Sequence, residues 1–146
     1  MLAAALLGAL LLIVAEFAAL FEVHSASSAV PGRSVATGSH HSYAMALIAV
    51  GAVLLALAFA RGASRIALPA IGLLGVTALL IALLGDLPDA QATGILGTAS
   101  THFVSASATP SAGLYMETAG AVLLIITSGA GLLLGRPAQA GETSAS

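Results

Sequence analysis

The chain has 146 residues, the size of one domain, of which 59% are hydrophobic and 7% charged, with a formal net charge of −2 and a mean hydropathy of +1.08. Soluble domains carry about 25% charged residues, so this composition excludes a water-soluble enzyme and a disordered chain, and the negative net charge excludes a nucleic-acid binder. Cys, Lys, Trp and Asn are all absent, which removes disulfides, thiol chemistry, cysteine metal sites and N-linked glycosylation.

Four apolar runs follow one another, over residues 2–23, 42–60, 66–85 and 112–135. Each is near the ~20 residues that a helix needs to cross a ~30 Å hydrocarbon core. Apolar residues occupy every face of each run, the pattern of a helix bathed in lipid. Strands are not expected, because barrel strands alternate over ~10 residues and these runs do not. The reading is an all-α, polytopic membrane protein. Four transmembrane helices form an up-down bundle over residues 1–136, with both termini cytoplasmic, outer loops at 24–41 and 86–111, and a disordered cytoplasmic tail at 137–146.

The first run lacks a basic leader, carries Glu16 and Glu22 near its distal end, and lacks a good small-x-small cleavage site, so it reads as a retained span. The turn between the second and third runs carries Arg61 and Arg65, and Arg136 closes the fourth. Only Arg33 falls on the other side, so the three anchors Arg61, Arg65 and Arg136 mark the cytoplasmic face. Ser64 is placed to cap the third helix, with Pro69 in its first turns. Gly85, Asp86 and Pro88 read as a helix stop, as do Gly135 and Pro137.

Between helices in lipid, contact comes from close approach at small residues. Gly131 and Gly135, one turn apart with Thr127 before them, are the predicted packing face of the fourth helix. The pentapeptide Gly51–Leu55 recurs as Gly120–Leu124, a match that a chain so rich in Gly, Ala, Val and Leu produces by composition.

Intramembrane ionisable groups mark functional sites by default, and two lie inside the runs, Glu16 and Glu117. Both sit within ~10 Å of the outer boundary on a 1.5 Å rise per residue, and no Lys or Arg lies inside the spans to neutralise them. Burial and mutual repulsion then predict that at least one is protonated at neutral pH. The four histidines, His24, His40, His41 and His102, all fall outside the runs. With the nearby carboxylates they are candidate zinc or copper ligands, although no helical His-x-x-x-His pair exists. Paired axial haem ligands would have to lie inside the bilayer, where no His falls. Asp86 and Asp89 offer too few oxygens for calcium, and no Gly-x-Ser-x-Gly elbow is present. No cofactor and no enzymatic activity are expected.

Ala15-Glu16 in an apolar first helix resembles the small multidrug transporters, in which a first-helix Glu exchanges protons for cationic drugs. That family's compact loops and aromatic-lined pocket are missing here, so its function is not carried over. Four spans with a long first outer loop are similar to claudin-like proteins, whose outer-loop Trp and paired Cys are absent. The composition looks like that of membrane proteins from GC-rich bacteria. The expectation is a small multi-pass protein of a bacterial cytoplasmic (inner) membrane, a non-catalytic structural or accessory subunit. Its partners would be the lipid bilayer and other membrane proteins or a second copy of itself, with no nucleic acid. The alternatives are a proton-linked small transporter or channel subunit using Glu16 and Glu117, and an extracytoplasmic metal-binding or sensing protein.

Overall fold

The computed structural model describes residues 1–25, 32–62, 66–97 and 103–134. Helix α1 (Leu2–Phe17) is followed at once by strand β1 (Ala19–Ser25). Strand β2 (Arg33–Ala36) leads through the single-turn α2 (Thr37–His41) into α3 (Ala44–Ala60). Helix α4 (Ala67–Leu80) runs without interruption into a π-helical segment (Ile81–Asp86) and the short α5 (Leu87–Ala90). Strands β3 (Thr93–Gly97) and β4 (Phe103–Pro110) then precede α6 (Ala112–Leu134).

The expectation of an all-α chain is overturned. The segments read as outer loops, together with the end of the first apolar run, form a four-stranded antiparallel sheet in the order β2-β1-β4-β3. Strand β1 pairs with β2 through Val23 and Arg33, and with β4 through Val23 and Ala108. Strand β3 pairs with β4 through Ile95 and Ser105. The physical reason is the alternation Val104-Ser105-Ala106-Ser107-Ala108-Thr109, which puts the apolar residues on a half-buried face and the hydroxyls in solvent. A bulge in β1 between Ala19 and Phe21 breaks the alternation. It lets Leu20 bury fully and Phe21 pack partly against the same cluster of Ala82, Ala90 and Leu114, where the sheet meets the helices.

The four-span reading fails with it. Helix α1 stops at Phe17, and its 16 residues cover about 24 Å at 1.5 Å per residue. Helix α3, with 17 residues, is nearly as short. Among the described residues, two helices are long and apolar enough to cross a membrane: the continuous 24-residue unit Ala67–Ala90, and α6 with 23. The expected stop at Gly85 and Asp86 does not occur, because the helix passes through both residues to Ala90.

Helix α1 packs against α3 and α6, and α4 packs against the same two. Their shared core is built mainly from small residues, among them Ala5, Ala9, Ala49, Ala52, Ala56, Ala78 and Ala121, with Leu12, Met45, Ile71 and Leu124. The large side chains Leu7, Leu10, Leu47, Leu54, Leu73, Leu84, Ile126 and Leu133 are exposed on the outside. Small inside and large outside inverts the arrangement of a water-soluble helical protein.

Glycine makes the close approaches possible. A Cβ on Gly120 would lie 2.7 Å from the Gly8 carbonyl oxygen, and one on Gly75 would lie 2.9 Å from that of Ala121. Chain connectivity places the sheet where α1 ends, α3 begins, the π segment ends and α6 begins. Arg61 caps the opposite end of α3. Gly135, Arg136, Arg65 and the tail 137–146 lie outside the described residues.

Candidate functional site

Under the sheet, three helices each contribute one buried carboxyl. The last turn of α1 supplies Glu16, the end of the π segment supplies Asp86, and the second turn of α6 supplies Glu117. All three are almost wholly excluded from solvent. Glu117 lies in contact with the Asp86 carboxyl and feels the charge of Glu16.

Local sequence explains each placement. Pro88 has no N–H to send back to Leu84, and its ring crowds that carbonyl in a regular helix. The chain answers with a wider turn just before it, in which the Leu87 N–H donates to the Ala82 carbonyl five residues back. That turn carries Asp86 into the interior.

Glu16 is held by the start of α3. Ser42 and Tyr43 both adopt left-handed backbone conformations (φ 52° and 64°), and no side chain caps the helix they open. The Ala46 N–H, one of the unsatisfied first-turn donors, instead donates to Glu16 Oε1 at 2.7 Å. Glycine at position 38 makes room for this, since a Cβ there would lie 2.8 Å from both Glu16 Oε2 and the Tyr43 ring. At Gly113, one helical turn above Glu117, a Cβ would come within 2.8 Å of Thr37 Oγ1.

Among the described residues, Glu16 Oε2, Thr37 Oγ1 and both carboxyl oxygens of Glu117 meet no N–H or O–H donor, the polar neighbour of Glu117 being the Asp86 carboxyl. An orphaned buried acceptor costs about 1–3 kcal/mol, more if charged. Two ionised carboxylates have no donor to offer each other. A contact between Glu117 and Asp86 becomes a hydrogen bond only when one of them carries a proton, as in carboxylate dyads that share one.

The cluster reaches the surface through His40. Its Nε2 lies 3.2 Å from Asp89 Oδ2 and 3.7 Å from Asp86 Oδ1. Its ring stands edge-on to Phe21, with centroids 5.9 Å apart. Side-chain exposure falls from 54% at Asp89 to 27% at His40 and 0% at Asp86.

His24 is on the exposed face of β1, 3.9 Å from Glu22 Oε2 and 3.5 Å from Thr109 Oγ1. His41 ends α2, and His102 lies outside the described residues. Among the described residues, no group of three or more His, Asp or Glu side chains is arranged to hold a metal ion. Gly131 packs against Leu68 of α4 within the chain.

Asp86 is a functional candidate that sequence reasoning misses, because Gly85-Asp86-Leu87-Pro88 reads as a helix terminus. The available signal was a proline preceded by an unbroken apolar helix, a pattern equally suited to a wide turn. Comparisons of the chain with protein-family models, with curated proteins and with solved structures give no match.

Proposed function

We propose that the chain is a small proton-linked membrane protein, a transporter or channel subunit, whose proton site is formed by Glu16, Asp86 and Glu117. The carrying observation is Glu117. It is fully buried, neither of its oxygens meets a donor, and its polar neighbour is a second buried carboxyl. Such an arrangement is costly as a structural device and is suited to holding a proton that is taken up and given back. The exposed leucines and isoleucines, and the two helices long enough to cross a bilayer, support a lipid surround. Arg61 at the end away from the sheet supports placing that end in the cytoplasm of a bacterial cell and the sheet outside. Along α1 and α6, Leu12, Ala121 and Leu124 close the core on the far side of the carboxyls. This packing supports exchange of the site with the sheet side rather than with the far end of the helices.

The test is infrared spectroscopy of the protein in lipid nanodiscs. The expected result is a protonated-carboxyl band at neutral pH that disappears in Glu117→Gln. A spectrum containing only ionised carboxylates would overturn the proposal.

A structural or accessory role is the second reading. It is favoured by an exposed apolar groove between the π segment and α6, lined by Leu83, Leu87, Leu114, Tyr115 and Val122. Here a stoichiometric partner would co-purify in mild detergent and Glu117→Gln would leave function intact. Gly8, Gly75, Gly120 and Gly131 all face neighbours within the chain.

A further inference from the structure

We infer that His40 is the proton relay between the aqueous sheet side and the buried carboxyls, passing protons from Asp89 to Asp86. This rests on the proton-linked reading above and specifies how its site is loaded. Three observations carry it. The first is the contact pattern, since one imidazole nitrogen faces carboxylates of two different classes, one at the surface and one fully buried. The second is the gradient of exposure along Asp89, His40 and Asp86, which makes the imidazole the step between water and the interior. The third is how the ring is held. Phe21 stands against it, and α2 enters through Ala36 into a helix closed by the left-handed Ser42.

The groups facing this relay can be named element by element. Asp86 on the π segment and Asp89 on α5 face His40 directly, while Glu117 on α6 meets Asp86 and feels the charge of Glu16 on α1. In a transfer step, protonated His40 gives its Nε2 proton to the Asp86 carboxylate, and the freed Nε2 then takes a proton from the Asp89 carboxyl, which has itself picked one up from water. The proton on Asp86 is shared with Glu117 across the carboxyl–carboxyl contact. Imidazole suits the step because it both accepts and donates a proton near neutral pH.

The experiment is a pH jump on the full chain in nanodiscs, following the protonated-carboxyl band with time. In His40→Phe the final amplitude should match that of the unsubstituted protein, while the rate falls by roughly a hundredfold or more, the scale of a lost acid–base group. Added imidazole should restore the rate in His40→Ala, which a purely structural role for the ring would not allow. His40→Gln, which keeps a hydrogen-bonding side chain but cannot carry the proton, should be as slow as His40→Phe, and it replaces that variant if the latter does not fold. An unchanged rate in His40→Phe or His40→Gln, or slowing that imidazole does not repair, would overturn the relay while leaving the carboxyl site standing. Absence of the band from the unsubstituted protein would instead overturn the proton-linked reading itself.

Discussion

The Glu16 carboxyl accepts the Ala46 backbone N–H at 2.7 Å, across thirty residues of sequence, and so joins the last turn of α1 to the first turn of α3. It serves as the cap that α3 lacks from its own side chains, and a negative group at a helix N-terminus is also favoured by the helix dipole. Glu16→Ala should lower stability in detergent by about 1–3 kcal/mol, because a buried donor loses its partner. Glu16→Gln keeps an acceptor oxygen and should lose less than half of that. Thermal unfolding of the two variants side by side checks the ordering. Equal losses would show that the carboxyl's charge, rather than the hydrogen bond, holds the two helices.

The same junction depends on two consecutive non-glycine residues in the left-handed region, Ser42 and Tyr43. Each costs about 1–2 kcal/mol relative to right-handed backbone. Ser42→Gly should therefore leave the protein as stable or raise its stability by up to ~1 kcal/mol, the strain relieved being partly offset by glycine's entropy. Ser42→Val, branched at Cβ, should destabilise by more than ~1 kcal/mol. A denaturation series that ranked valine above glycine at this position would contradict the backbone geometry.

How much of this was legible in the sequence differs element by element. The apolar helices were visible because apolar residues fill every face, but their ends were not. Ala19-Leu20-Phe21 continues the hydrophobicity of α1 without a break, and only Phe21-Glu22-Val23-His24 alternates. Strand β4 alternates along most of its length, yet it does so with Ser and Ala, residues of low strand propensity, and it is shorter than a membrane-barrel strand. Glu16 and Glu117 were legible as lone carboxyls in apolar helices. Asp86 was not, because its burial depends on a π turn, and hydrogen-bond register leaves no residue signature of its own. His40 was legible as a loop histidine, whereas its place between Asp86 and Asp89 required the fold.

The helix contacts are unequal, and the inequality is testable. A Cβ on Gly120 meets backbone, the Gly8 carbonyl oxygen at 2.7 Å, whereas one on Gly131 meets the Leu68 side chain, also at 2.7 Å. Backbone cannot move aside without shifting α1 against α6, while a leucine can change rotamer. Gly120→Ala should cost about 1–3 kcal/mol, the scale of overpacking a close contact, and Gly131→Ala clearly less. Gly129→Ala, with nothing within 4 Å of the new Cβ, is the control and should be neutral or mildly stabilising. Melting temperatures of the three variants in one detergent give the comparison, and a Gly131→Ala loss equal to that of Gly120→Ala would show that Leu68 has no alternative rotamer.

Glu117 allows stability and function to be separated by one substitution. The two Glu117 oxygens meet no N–H or O–H donor among the described residues, so an apolar residue of similar volume recovers their desolvation cost, while His40 still faces the Asp86 carboxyl that is left behind. Glu117→Met should therefore raise stability by about 1–3 kcal/mol while abolishing proton-driven flux in liposomes and the protonated-carboxyl band. Glu117→Gln should lose the same signals with a smaller gain, since its amide can donate to Asp86 but keeps a buried carbonyl. Opposite changes in stability and activity are what a group retained for function at a structural cost produces. If Glu117→Met unfolded the protein more readily, Glu117 would be a structural partner of Asp86, and the proton site would have to be sought in Glu16 and Asp86 alone.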